Sequence, residues 1–335
     1  MVAQVTDYSK HGDINKFIEK NHRDPLLFKS YRENWTIKNN DKPLFVLFET
    51  TSKCNLRCNM CVQSVGYEQT ERMQDGLFDK AVSEIKKLKI PAVAMNQINE
   101  PLLDKKIFEK IEKVSSIDTV VDIHMNTNAV LLNKKNSEKL LNSKLTRLLI
   151  GFDGFSKEVF EKVRERANYQ QVFENIINFL DMKKQMKKTF PVTRISFVKT
   201  SENEHEIPKW FEFWRDKADY ITVQEFISPV ADLSKSHLIP NTSERVKIDP
   251  DKIICTQPSE RITIRGDGNI IPCCSHIANK MPMGNLNESS IHNIWNNEKF
   301  KKLRKNLLTP GGYKKNKICK SCIETTYNLK TDINN

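Results

Sequence analysis

The first uninterrupted apolar run in the chain is Leu44-Phe45-Val46-Leu47-Phe48, of strand length and without a polar break, as suits a strand buried on both faces. Beyond it the spacing of apolar residues switches repeatedly between helix and strand. From Leu77 to Leu88, Phe78, Ala81, Val82, Ile85 and Leu88 share one helical face. Ala92 to Met95 reads as a short strand, and Ile107, Phe108, Ile111 and Val114 mark the next helix. A strand at Val120 to Met125, a short helix near 137–142 and a strand at Leu148 to Ile150 follow. Helical segments at 156–163 and 169–185, a strand at Arg194 to Val198, a helix at Ile207 to Arg215 and a strand at Tyr220 to Phe226 complete the series. Six strands, all but the last followed by helix, predict an α/β fold with a parallel sheet and right-handed crossovers. Ligands of such sheets collect at the C-terminal ends of the strands.

The flanks differ from this core. Residues 1–42 are polar and basic with scattered aromatics (Phe17, Phe28, Tyr31, Trp35), and Pro25 interrupts any continuous helix. They are expected to form an extension packed on the outside of a core domain at 43–230. Past Val230 the sequence turns to loops such as Ser234-Lys235-Ser236, Pro240 to Ser243 and Asp249-Pro250, which sets a boundary and leaves 231–335 as a second domain. Within it, Arg261 to Ile271 reads as a hairpin around an Asp267-Gly268 turn, and Ile291, Ile294 and Trp295 as one helix face.

Candidate chemistry enters directly after the first strand. Cys54-Asn55-Leu56-Arg57-Cys58-Asn59-Met60-Cys61 places three thiols in one short loop. Such spacing suits a cubane iron-sulfur cluster in which each thiolate takes one iron and the fourth iron keeps an open position for a chelating molecule. A zinc ribbon made of Cys58, Cys61, Cys319 and Cys322 is the competing reading, but it leaves Cys54 without a purpose and separates its pairs too widely. Nothing in the sequence indicates an oxidising compartment, so disulfides are not expected.

This CxxxCxxC resembles the signature of the radical S-adenosylmethionine (radical SAM) superfamily. The resemblance implies a partial (β/α)6 TIM-like barrel, with S-adenosylmethionine (SAM) chelating the open iron and cleaved by an electron from the cluster to a 5'-deoxyadenosyl radical. It also implies cofactor contacts. Asn99-Glu100-Pro101 stands where the family has its GGEP segment, with Glu100 and Pro101 matching and Ile98 and Asn99 replacing the glycines. Asn126-Thr127-Asn128 resembles the family's Thr-Asn-Gly strand end, placing Asn128 near the ribose. Gly151-Phe152-Asp153-Gly154 resembles Ser-x-Asp-Gly with Gly151 in place of serine. Arg164, followed by Tyr169, Val172, Asn175 and Ile176, repeats a further family pattern, and an arginine there can pair a carboxylate.

The other five cysteines, Cys255, Cys273, Cys274, Cys319 and Cys322, all follow the boundary. Four brought together by a hairpin and a knuckle can hold one metal ion tetrahedrally or fully ligate a second cubane. The opening Cys255-x12-Gly268-x4-Cys273 resembles the half-length SPASM domain called twitch. That implies one auxiliary 4Fe-4S cluster on Cys255, Cys273, Cys319 and Cys322, with structural zinc as the alternative. Cys274 remains as a spare thiol or as the hydrogen donor of an epimerase.

Twitch enzymes resembling this chain include the aminocyclitol dehydrogenase of butirosin biosynthesis. The resemblance therefore implies a radical SAM oxidoreductase that turns a secondary alcohol of a sugar, aminocyclitol or nucleotide-linked sugar into a ketone, with the auxiliary cluster taking up an electron. Epimerisation or dehydration of such substrates, and peptide or protein maturation, are the alternatives. A reductant such as flavodoxin or ferredoxin is an expected partner. The net charge of +12 is spread over lysines on helix faces, and no aromatic-interleaved basic patch is visible, so no nucleic acid is expected. No apolar run has membrane-spanning length and the N-terminus has no secretory pattern, so a cytoplasmic location away from membranes is expected.

Overall fold

The structure, a computed structural model of the chain, describes residues 5–33, 41–228, 233–241 and 249–326. It opens with a strand that the hydrophobic pattern does not announce, β1 (Val5–Ser9), followed by α1 (Ile14–Asn21) and α2 (Pro25–Glu33). Asp13 caps α1 by accepting the Asn15 and Lys16 N–H groups, and Pro25 begins α2 where a missing N–H costs nothing. The alternating core then comprises β2 (Phe45–Phe48), α3 (Asp75–Leu88), β3 (Ala92–Ala94), α4 (Ile107–Ser115), β4 (Asp122–Thr127), α5 (Lys134–Asn142) and β5 (Arg147–Gly151). It continues through α6 (Lys157–Val163), α7 (Tyr169–Gln185), β6 (Val192–Lys199), α8 (Ile207–Trp214) and β7 (Tyr220–Glu225). After a connection come α9 (Gln257–Glu260), β8 (Arg261–Ile264), β9 (Asn269–Ile271), β10 (Gly284–Asn285), α10 (Ile291–Trp295), α11 (Glu298–Leu308) and α12 (Lys317–Thr326).

β2 to β7 are parallel neighbours in chain order, as the alternation requires. With β1 and β8 to β10 they make one mixed ten-stranded sheet whose end strands do not pair with each other among the described residues, consistent with the partial barrel expected from the sequence. Strand alternation splits the core in two. Val46, Phe48, Val93, Ile123, Leu148, Ile150, Ile195 and Phe197 face the helices and pack on residues such as Phe78, Ile85, Ile111 and Phe179. Phe45, Leu47, Ala92, Ala94 and Val192 face the other way and pack on Ile18, Phe28 and Tyr31 of α1 and α2.

The N-terminal segment is therefore no external appendage. β1 pairs antiparallel with β7 and extends the sheet, and α1 and α2 cover the inner face of its strands. Polar bonds fix the plug: Arg147 reaches Asp122 at 3.0 Å and Asn15 at 3.0 Å, and Asp219 joins His11 at 3.1 Å to the buried Lys183. Trp35 and the expected boundary at 230/231 lie outside the described residues. The cysteine-rich segment also joins the sheet, because β8 pairs parallel with β2 and carries β9 and β10 beyond it. Its turn uses Gly268 at φ +88°, a conformation that glycine adopts without strain.

Candidate active site

β2 delivers the chain into the first cysteine loop through Glu49, Thr50, Thr51 and Ser52, all buried. Backbone bonds pin the loop to the end of α6, with Arg57 N–H donating to Glu165 O and Asn59 N–H to Val163 O, each at 3.0 Å. The Arg57 guanidinium donates to the carbonyls of Cys54 (2.9 Å) and Leu56 (2.7 Å), and the Gln63 amide ties Ser52 O to Ile98 O. The thiols of Cys54, Cys58 and Cys61 line one cleft. Burial pushes all three up, Cys58 to about 12; neighbouring thiols raise Cys58 and Cys61 further, and the Glu100 carboxylate raises Cys54. Loss of water is the main cause, because burial disfavours the charged thiolate. Backbone N–H groups of Leu56, Val62 and Gln63 and the Arg164 guanidinium favour the thiolates.

That cleft has a volume of about 420 Å³ at the C-terminal ends of the strands, and Asn96, Gln97, Asn126, Ser196, Gln224 and Glu225 supply its polar wall. Arg164 enters from the end of α6, with its Nε and a terminal nitrogen each 2.7 Å from Asp153 Oδ2. Asp153 also accepts the Val198 N–H at 2.7 Å. A Cβ on Gly151 would stand 2.0 Å from that terminal nitrogen, so the absent side chain is what admits the guanidinium. Glu100 is buried and braces two strand ends, accepting from Leu102 N–H (3.1 Å), Thr127 Oγ1 (2.9 Å) and Asn128 N–H (2.7 Å). Desolvation outweighs these donors and raises its carboxyl to about 7. The Asn128 amide donates to Asn55 at 2.8 Å and approaches Cys54 Sγ at 3.7 Å, while its oxygen accepts the Val130 N–H at 3.0 Å. Glu100, Asn128 and Arg164 thus all line the cleft, and each is also committed to holding its walls.

The second set gathers as well. Cys255, Cys273, Cys274, Cys319 and Cys322 line a cavity of about 370 Å³. Burial raises Cys255 to about 11 and Cys319 to about 12, and charges on neighbouring thiols push the same way. Cys274 is exposed, its sulfur 3.8 Å from Gln257 Oε1. Met60, Cys61, Ile98 and Ile227 line both cavities, so the two sites share a wall. A buried hub fixes their relation: Glu49 accepts from Tyr67 Oη and from Thr70 Oγ1 (2.8 Å), and lies 3.5 Å from Arg265 at the end of β8.

A family model described as the radical SAM superfamily matches residues 48–213, and one described as an iron-sulfur cluster-binding domain, SPASM, matches 255–323. The chain belongs to the radical SAM superfamily. A curated relative, the probable GTP 3',8-cyclase of Methanocaldococcus jannaschii, is 27% identical over 61% of this chain and 66% of its own length. The chain spans about half the length of GTP 3',8-cyclases from Listeria, of which it covers 54%. Among solved structures, BtrN in complex with AdoMet and 2-DOIA superposes at a TM-score of 0.55 with 19% identity, covering 84% of this chain and 92% of that one. SuiB of Streptococcus suis bound to S-adenosylmethionine superposes at 0.63 with 14% identity, covering 91% and 77%. These likenesses establish the fold.

The cofactors of this radical SAM chain are therefore SAM with a 4Fe-4S cluster, and an auxiliary iron-sulfur cluster in the SPASM segment. The donor sets fit. Three thiols in one pinned loop leave one cubane iron open, whereas four thiols around the second cavity can occupy every iron. Among the described residues no three Cys, His, Asp or Glu side chains converge on a single shared ion. A cubane asks for a wider set, with one iron for each thiolate. No described helix is long and apolar enough to cross a membrane.

Sequence reasoning missed the far wall of the cleft. Lys199 and Glu225, paired in register at the ends of β6 and β7, form an ion pair at 2.5 Å, and Glu225 Oε2 has no partner among the described residues. Their placement at strand ends was the available signal, but no local motif surrounds them.

Proposed function

We propose that this chain oxidises a secondary alcohol of a small hydroxyl-rich molecule, such as a sugar, an aminocyclitol or a nucleotide-linked sugar, to a ketone. The observation that carries this reading is a cavity lined by Cys255, Cys273, Cys319 and Cys322 that shares a wall with the strand-end cleft, where amide and carboxylate groups stand among apolar lining. A cluster saturated by Cys255, Cys273, Cys319 and Cys322 has no iron left to chelate substrate, which leaves electron uptake as its use. When bound, SAM and the two clusters supply a carbon-centred radical and a one-electron sink.

The chain's own groups do the rest. Glu100, Asn128 and Arg164 are the proposed SAM contacts, with Arg164 held by Asp153 so that its outer edge can meet a carboxylate. The amides of Asn96, Gln97 and Asn126 offer hydrogen bonds to hydroxyl groups. Glu225 Oε2 is the proposed acceptor for the proton of the reacting hydroxyl, with Lys199 holding Oε1. Ile98 and Ile227 supply apolar lining where the two cavities meet.

A second reading has its own support. The curated relatives are named GTP 3',8-cyclases, which favours radical chemistry on a purine nucleotide without net oxidation. Anaerobic turnover with SAM and dithionite on a panel of aminocyclitols, nucleotide-linked sugars and GTP separates the two. A ketone product two hydrogens lighter than its substrate supports oxidation. A product isomeric with GTP, and no dehydrogenated sugar, would sink it.

A further inference from the structure

The basic residues are less scattered than their sequence positions imply. The lysine runs Lys299 to Lys305 and Lys314 to Lys320 contain no carboxylate, with Glu298 just before the first and Glu324 four residues after the second. The fold brings both runs onto α11, α12 and the short 3-10 turn between them at Gly312–Lys315. These are the elements that hold the second cysteine set. Cys255 N–H donates to Leu307 O of α11 at 2.8 Å, and Asn316 Oδ1 caps α12 by accepting from Ile318 and Cys319 N–H at 3.0 Å. The lysines of both runs are exposed. Lys314 pairs with Asp251, Lys301 with Glu298 and Lys320 with Glu324. Lys302, Lys305, Lys315 and Lys317 have no ion-pair partner among the described residues, and exposed unpaired lysines of one sign set up a field that attracts anions.

We propose that this collar is a docking face for an acidic one-electron carrier protein, which approaches Cys319 and Cys322 and relieves the auxiliary site of its electron. This rests on the oxidative reading above. For each substrate oxidised, one electron leaves at this face and one carrier is reduced by one electron. Other anionic partners fit less well. Trp295, Phe300 and Tyr313 are buried, so among the described residues of the segment no aromatic offers a stacking platform for nucleic acid bases. The apolar residues of α11, Phe300, Leu303 and Leu307, also face the core, leaving no apolar face to enter a lipid surface.

The test uses reconstituted full chain and oxidised flavodoxin as the probe, comparing wild type with Lys302→Glu/Lys305→Glu and Lys315→Glu/Lys317→Glu. Affinity measured by interferometry should fall about tenfold in each variant and fall with added salt in the wild type, as for a charge-steered interface. Iron and sulfide content and SAM cleavage under dithionite should not change. The same substitutions placed on Cys54→Ala/Cys58→Ala/Cys61→Ala, reduced and mixed with oxidised flavodoxin, should slow electron transfer from the second site by a similar factor. Unchanged affinity and transfer overturn the docking face. Tighter binding of single-stranded RNA or of anionic vesicles, lost in the same variants, overturns the choice of partner. Neither measurement uses a substrate, so a substrate panel without turnover strikes the reaction and not the surface.

Discussion

Replacing Gly151 with serine restores the residue that the superfamily pattern carries at this position, yet the structure makes it the wrong residue here. A Cβ at 151 would lie 2.0 Å from an Arg164 terminal nitrogen and must drive the guanidinium from its place. The side chain is flexible in principle, but it is buried, and its Nε and the clashing terminal nitrogen each sit 2.7 Å from Asp153 Oδ2. Displacing it leaves a buried carboxylate with only the Val198 N–H, and breaking such a pair costs about 3 to 5 kcal/mol. At about 2.1 cal/mol/K per residue, a 335-residue chain has an unfolding entropy near 0.7 kcal/mol/K, so the midpoint should fall by about 4 to 7 °C. Calorimetry of the apo chain measures this, and titration of the reconstituted protein should show weakened SAM binding. The decisive control is a double-mutant cycle. On an Arg164→Ala background, Gly151→Ser should cost less than about 1 kcal/mol, because the clash has gone. Additive costs would refute the reasoning, since the serine would then be acting somewhere other than on Arg164.

Glu100 should make stability depend on pH. Its folded value of about 7 lies above the ordinary 4.5, so the folded state holds the proton more tightly, and stability is greatest below pH 4.5 and declines as pH rises toward 7. That gap is worth about 3 kcal/mol, and Glu100→Gln should flatten this part of the apo-protein's unfolding-midpoint profile; a parallel profile would show that the carboxyl ionises freely. Iron and sulfide analysis should give about eight irons in the wild type and about four in Cys54→Ala/Cys58→Ala/Cys61→Ala, with zinc retained in the triple variant counting against a second cubane. Phe28 is fully buried between α2 and the inner strand faces, so Phe28→Ala should destabilise by about 3 to 5 kcal/mol in urea titration; a loss below about 1 kcal/mol would mean that the N-terminal helices do not close the sheet. Glu225→Gln should leave SAM binding intact but lower turnover, and turnover should regain its rate at no pH if Glu225 is the proton acceptor.

Much of this protein is local information. The run Leu44 to Phe48, the alternation of helix and strand after it and the spacing of Cys54, Cys58 and Cys61 were legible because each depends on residues close in sequence. They determined the parallel core, the end of the sheet at which ligands collect and the first cofactor. The second cysteine set was legible through Gly268 and the Cys319-x2-Cys322 knuckle for the same reason. Tertiary structure alone decided the remainder. Val5 to Ser9 has no marked alternation, and it becomes a strand because β7 presents a free edge far along the chain. Phe28 and Tyr31 look like scattered aromatics until the inner faces of β2, β3 and β6 supply the surface they cover. Gly151 reads as a missing serine until Arg164 is seen in its place, and the two lysine runs gain meaning only when Leu307 of α11 is seen bonded to Cys255 while α12 carries Cys319 and Cys322. Periodicity and spacing record what neighbours in sequence must do, whereas edges, plugs and charge clusters arise from pairs that only the folded chain brings into contact.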